Sequence, residues 1–244
     1  GITGTEVSKD AAAMILTDDN FATIIKAVCN GRNVYRNIKN AIQFLLSGNM
    51  AGILAVLYCC VAGLPAPFAA VHLLFINLLT DSLPALAIGM ESVDERLLQD
   101  TPRDPSEKLL NSSFIRNMLI YGSMIAAVTI TAFYLGDPVH TVQTAMTMAF
   151  ATLTLARLFH GFNLRSKYSL VRIGLCSNRW SIAAFGVGVL LLVLVLCIPA
   201  ARSAFAASSL TGAQTASVAI LAGLPTIIIQ GFRILRERLS GTDR

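Results

Sequence analysis

The hydrophobic positions of this chain gather into six long blocks divided by short polar breaks. A bilayer crossing takes about 20 mostly apolar residues as a helix. Stretches of that length occupy residues 40–63, 68–90, 117–136, 141–162, 180–201 and 212–232, predicting six membrane helices. GLPAP at 63–67 carries two prolines that favour a tight hairpin between the first two, and GDPVH at 136–140 turns the third into the fourth. Residues 202–211 join the last two.

The N-terminal stretch has a different pattern. Residues 1–20 are mixed, with an apolar knot at Met14, Ile15 and Leu16 that reads as a strand. From Phe21 onward Ile24, Ile25, Val28, Val34, Tyr35, Ile38 and Ile42 recur at helical spacing, with Gly31 the only soft point. The pattern predicts a helix running unbroken from a soluble part into the first membrane block, a mechanical coupling element. The segment before it is too short to bury a core of its own, so more chain is expected upstream. The expected fold is an all-α membrane protein of six transmembrane helices, preceded by a short remnant of a soluble α/β domain.

Composition agrees. Of 244 residues, 55% are hydrophobic and only 14% charged; the mean hydropathy is +0.65. Soluble domains carry about 25% charged residues. The net charge of +5 does not point to nucleic acid, because the basic residues sit in the breaks between apolar blocks. Lys26, Arg32, Arg36 and Lys39 precede the first block, and Arg233, Arg236 and Arg238 follow the last. The 91–116 loop holds Arg96, Arg103, Lys108 and Arg116; the 163–179 loop holds Arg165, Lys167, Arg172 and Arg179. The alternate loops hold only Arg202. The positive-inside rule then places both termini and the two long loops in the cytoplasm. Cys29, Cys59, Cys60, Cys176 and Cys197 show neither metal nor disulfide spacing.

One carboxylate breaks the second block, in NLLTDSLPA at 77–85. A charge at membrane depth is costly unless paired, hydrated or metal-bound, which makes Asp81 a functional-site candidate. Pro84 removes a helix hydrogen bond and clashes with the carbonyl four residues back, that of Thr80. Asn77 lies one α-helical turn before Asp81 on the same face. Carboxylate, amide, hydroxyl and freed carbonyl make an all-oxygen set suited to a hard cation. The competing reading is a protonated Asp81 satisfied by a neighbouring helix, with Pro84 as a simple kink. Asn49, in LLSGNMAG of the preceding antiparallel helix, is a candidate partner, with Ser47, Gly48 and Gly52 allowing close approach; it also fits interhelical glue. Arg157 has two readings, a residue snorkelling to the interface and a fixed positive charge where a second cation would bind. His72 and His160 read as interfacial or packed groups, and Glu91 marks the end of the second helix.

No Walker loop, GxGxxG, HExxH or nucleophile–base constellation occurs, and TGTE at 3–6 lacks a preceding Asp-Lys. No catalytic residue is assigned. Residues 4–49, GTEVSKDAAAMILTDDNF through LLSGN, resemble the end of the phosphorylation domain and the stalk into the fifth membrane helix of P-type cation-transporting ATPases. NLLTDSLPA resembles the sixth-helix signature of their calcium-pump branch, and ERLLQDTPRDPSEKLL (95–110) resembles the loop that follows.

The resemblance implies a C-terminal half of such a pump. Residues 1–27 correspond to the remnant of the phosphorylation domain, 28–39 to the stalk helix, 40–238 to the six-helix membrane domain and 239–244 to a tail. Asn49, Asn77, Thr80 and Asp81 fall on cation-coordinating positions. Gly52 and Arg157 stand where two-site calcium pumps carry glutamates, which implies a single Ca²⁺ site with Arg157 occupying the lost one. ATP and Mg²⁺ belong to the full-length protein, whose N-terminal half is the expected partner alongside the transported cation and the lipid bilayer. The expected location is a bacterial plasma membrane, as a multi-pass protein, and the fragment alone is not expected to hydrolyse ATP. Mn²⁺, Na⁺ or Mg²⁺ as cargo, a stand-alone six-helix channel or secondary transporter, and an inactive fragment remain the alternatives.

Overall fold

The computed structural model describes residues 1–102 and 108–239. Part of the 95–110 motif, including Arg103, and nearly all of the 239–244 tail lie outside the described residues. A short helix α1 (Glu6–Asp10), capped by the Thr5 hydroxyl accepting from the Ser8 N–H at 3.3 Å, opens the chain. The strand expected at residues 14–16 does not form. Met14 and Ile15 are exposed in irregular backbone. A strand needs a neighbour to satisfy its backbone groups, and no other strand exists among the described residues.

Helix α2 (Ala22–Val61) runs for 40 residues without a break, Gly31 included. At 1.5 Å per residue it is about 60 Å long, twice a bilayer core, so the predicted unbroken helix is present. It ends on Gly63 at φ +65, with Leu64 N–H bonded to the Cys59 carbonyl at 2.9 Å and Gly63 N–H to that of Cys60 at 3.4 Å. This paired closure requires a left-handed residue, which glycine adopts at no steric cost.

The next crossing is composite: α3 (Ala70–Phe75), a π turn (Ile76–Thr80) and α4 (Ser82–Gly89). Then come α5 (Ser112–Leu135), capped by Asn111, and α6 (Val142–Asn163). The short α7 (Leu170–Ile173) precedes α8 (Arg179–Cys197). Pro199 stops α8 short of the expected residue 201, because the residue before a proline is pushed out of the helical region; Ile198 sits at ψ 119, and α9 (Pro199–Ala204) starts afresh. Finally α10 (Gly212–Leu239) continues past residue 232 and carries Pro225 within it.

Among the described residues five helices are long and apolar enough to cross a membrane: Ala22–Val61, Ala70–Gly89, Ser112–Leu135, Arg179–Cys197 and Gly212–Leu239. Helix α6 is the exception, and its position supplies the reason. It is buried almost throughout from Ala145 to Asn163, packed against α5, α8 and α10. A helix enclosed by protein need not be lipophilic all round, so Thr147, Thr152, Thr154, Arg157 and His160 sit on it fully or nearly buried. The outer faces are the reverse: Leu74, Leu86, Leu190 and Ile227 are all more than half exposed, the arrangement expected against lipid.

Candidate cation site in the membrane

Pro84 has no N–H to offer the Thr80 carbonyl. Just before that point the chain widens one turn rather than opening. Asp81 N–H donates to the Ile76 carbonyl, five residues back, at 2.9 Å, and α-helical bonding resumes with Ala85 N–H to the Asp81 carbonyl at 3.1 Å. The expected unwound midpoint is thus a closed π turn, a feature found at functional sites. Its extra residue breaks the i, i+4 alignment. Thr80 and Asp81 turn inward, 1% and 2% exposed, whereas Asn77 is exposed and does not share their pocket.

Arg157 comes from α6 to meet Asp81. It does not snorkel: its side chain is 4% exposed and its Nη2 donates to Asp81 Oδ2 within a buried ion pair. The same Nη2 donates to Asn49 Oδ1 at 3.2 Å, so α2, α4 and α6 converge on one guanidinium. Room for it comes from Gly48, where a Cβ would lie 2.4 Å from Arg157 Nε. Asp81 Oδ1 and Arg157 Nε are buried without a partner. Thr80 donates its hydroxyl to the Ile76 carbonyl at 3.0 Å, leaving the oxygen's lone pairs available. Gly52 is buried on α2, its nearest neighbour Leu153 Cδ2 at 4.0 Å from a built Cβ, and no polar group faces it there.

The structure therefore brings together Asp81, Arg157 and Asn49 with Thr80 adjacent, and leaves Asn77 and Gly52 apart. Among the described residues no group of three or more His, Cys, Asp or Glu forms a metal cluster. The arrangement can hold a hard cation through Asp81 Oδ1 and neutral oxygens, in competition with the guanidinium on Oδ2. A buried carboxylate cannot stay charged without one such partner.

One feature was illegible as a site element in the sequence. Glu91 ends the composite crossing in a two-pronged ion pair with Arg165, at 2.9 and 3.1 Å, and Arg165 is fully buried. Asn178 adds a bond to Glu91 at 2.8 Å, while Asn33 and Asn37 of α2 hold its backbone carbonyl at 3.2 and 3.0 Å. Arg165 is therefore a structural tie, not a free loop cation. His160 stands 3.0 Å from the Ser47 hydroxyl, and His72 lies 2.7 Å from the Phe205 carbonyl while stacking on Phe150, so both are packed groups as expected.

Residues 65–235 match the family "Cation transporting ATPase, C-terminus". Calcium-transporting ATPase 1 of Bacillus cereus is 35% identical over 97% of this chain and 29% of that protein. Calcium-transporting ATPase 1 of Lactococcus lactis is 38% identical over 96% of the chain and 26% of its own length. Human calcium-transporting ATPase type 2C member 1 is 32% identical over the whole chain and 27% of its length. The chain thus spans less than a third of these relatives. A composite, proline-bearing crossing with a buried carboxylate, inside a helical membrane bundle matched over most of its length, belongs to the cation-transporting ATPase family, as its C-terminal part.

Proposed function

We propose that this chain is the membrane transport half of a P-type, ATP-driven calcium pump with one cation site centred on Asp81. The observation that carries this reading is the buried Asp81 carboxylate with Oδ1 unpartnered at a π turn. The names of the relatives support Ca²⁺ as the cargo. Thr80 and Asn49 supply neutral oxygens, and Asn77, exposed on the open side of the crossing, joins the site once the remainder of the protein covers that face. Arg157 holds the place of a second cation, and Gly52 offers no carboxylate there. ATP and Mg²⁺ act on the part of the protein outside this chain, so the chain alone neither hydrolyses ATP nor transports. Six crossings put both termini in the cytoplasm of a bacterial cell, and the pump exports Ca²⁺ across the plasma membrane. Residues 1–27 are the end of the phosphorylation domain, and α2 transmits its movement to the site.

The test uses the full-length pump. Asp81→Asn should abolish Ca²⁺-stimulated ATP hydrolysis, and the intact pump should move one Ca²⁺ per ATP. Unchanged Ca²⁺ stimulation in the mutant would remove Asp81 from the site. A measured ratio of two would restore a second cation and contradict the role given to Arg157.

A further inference from the structure

Where α2 meets the bilayer, a cavity of about 1000 Å³ opens between the stalk, the Glu95–Gln99 turn and the 167–172 segment. Arg32, Arg36, Lys39, Arg96, Lys167 and Arg172 line it, against the carboxylates Asp94 and Asp100. Asp94 is already engaged, accepting from Arg96 Nε at 2.8 Å and lying 3.4 Å from Arg36 Nη1. Lys39 and Lys167 form no ion pair with the described residues, Arg172 shares Glu237 with Arg233, and Arg36 Nε is buried with no partner. Three of these cations gather on one ring: Arg96 and Arg172 stand 4.7 Å from the centre of Tyr168, and Lys167 stands at 5.4 Å. Like charges drawn this close repel unless an anion lies between them.

The level of the cavity says which anion. Lys39 is the last charged residue of α2 before its uncharged run, and a cation that closes a membrane-length apolar run belongs at headgroup level. Tyr35 and Tyr168 line the cavity, and tyrosine favours that depth. Leu97, also among the lining residues, gives the rim apolar surface. A soluble phosphate has no use for such a rim; an acyl chain does. Basic pockets at the ends of membrane helices suit anionic headgroups.

We propose that this cavity is a binding site for the headgroup phosphate of an anionic phospholipid, which ties the stalk helix to the loop after α6. The proposal does not depend on which cation the protein moves.

The test is native mass spectrometry of the full-length protein in neutral detergent with phosphatidylglycerol or phosphatidylcholine added. Wild type should retain phosphatidylglycerol at least ten-fold better. Each juxtamembrane cation contributes about five-fold, so Lys39→Gln/Lys167→Gln/Arg172→Gln should bring that preference down to parity. Arg116→Gln/Arg202→Gln, which removes two cations outside the cavity, should keep it. Lys167→Glu alone gives a second reading if the triple variant is poorly folded, and should lose more than ten-fold. The proposal is overturned if the cavity variants retain phosphatidylglycerol like wild type. It is equally overturned if glycerol 3-phosphate displaces the lipid, making this a soluble-phosphate site, or if wild type shows no lipid preference because an acidic segment of the protein fills the cavity.

Discussion

At the scale of single residues, the site turns on a side chain that reaches its partner only because another is missing. Arg157 lies against Gly48, and a Cβ there would collide with its Nε, whereas at Gly52, four residues on, a Cβ would make only ordinary contact with Leu153. Gly48→Ala should therefore displace the guanidinium from Asp81 and lower stability by about 1–3 kcal/mol, the usual cost of overpacking. Gly52→Ala should be neutral or slightly stabilising, as alanine is in a helix. Thermal unfolding in detergent compares the two, and equal losses would contradict the placement of Arg157. Arg157→Met takes the counter-charge from buried Asp81, whose carboxyl must then take up a proton or stay unpaired, a defect of up to about 3–5 kcal/mol. Adding Asp81→Asn should recover much of that loss, and a double-mutant cycle showing no coupling would refute the pair. Asp81 was legible in the sequence because one charge in an apolar run is visible without coordinates. Its pairing with Arg157 was not, since it depends on how α4 and α6 are rotated and on the gap at Gly48.

At the scale of elements, periodicity located the helices and chemistry decided their ends. Proline at 199 and glycine at 63 closed α8 and α2 for reasons visible in the sequence. The π turn was hidden, because the loss of one N–H at Pro84 can be met by opening, kinking or widening, and only packing selects among these. The strand at residues 14–16 failed for the opposite reason: its local pattern was right but it has no partner. The turn that follows α4 is pinned to α2 by Asp94. Burial pushes this carboxyl up, but hydrogen bonds from Arg96 and the charges of Arg96 and Arg36 outweigh that and hold it below its ordinary value of 3.8. A lowered folded value means that the ionised carboxylate stabilises the fold. Its contribution is complete above pH 3.8 and is lost as pH falls through the lowered value. Asp94→Asn should thus be less stable than wild type at neutral pH, with the difference vanishing in acid. It should also open the peptide bond after Arg96 to trypsin several-fold faster at neutral pH. A stability gap that persists unchanged into strong acid would mean that Asp94 acts through packing and not charge.

At the scale of the molecule, the polar contacts sort into two ends. At one end Arg36 meets Asp94, Arg165 meets Glu91, and Arg233 of α10 donates to the Ser166 carbonyl at 2.8 Å. At the other, Tyr58 pairs with Tyr134 at 2.9 Å, His72 with the Phe205 carbonyl, and Ser208 N–H with the Thr147 hydroxyl at 2.9 Å. The first end carries nearly all the basic residues outside the apolar blocks, and the second carries Arg202. Moving the first end across a membrane would mean desolvating many more cations than moving the second, and this cost is what fixes orientation during insertion. Two positions report on it directly. Cys176, exposed in the segment between α6 and α8, belongs to the basic end, and His140, exposed in the turn between α5 and α6, belongs to the other. With the other cysteines replaced, a membrane-impermeant maleimide should label Cys176 in inside-out vesicles and spare it in intact cells. In a background without Cys176, His140→Cys should be labelled in intact cells. Labelling of both from the same side would break the alternation and remove α6 from the set of crossings. Labelling of each from the side opposite to that expected would keep six crossings and invert the molecule.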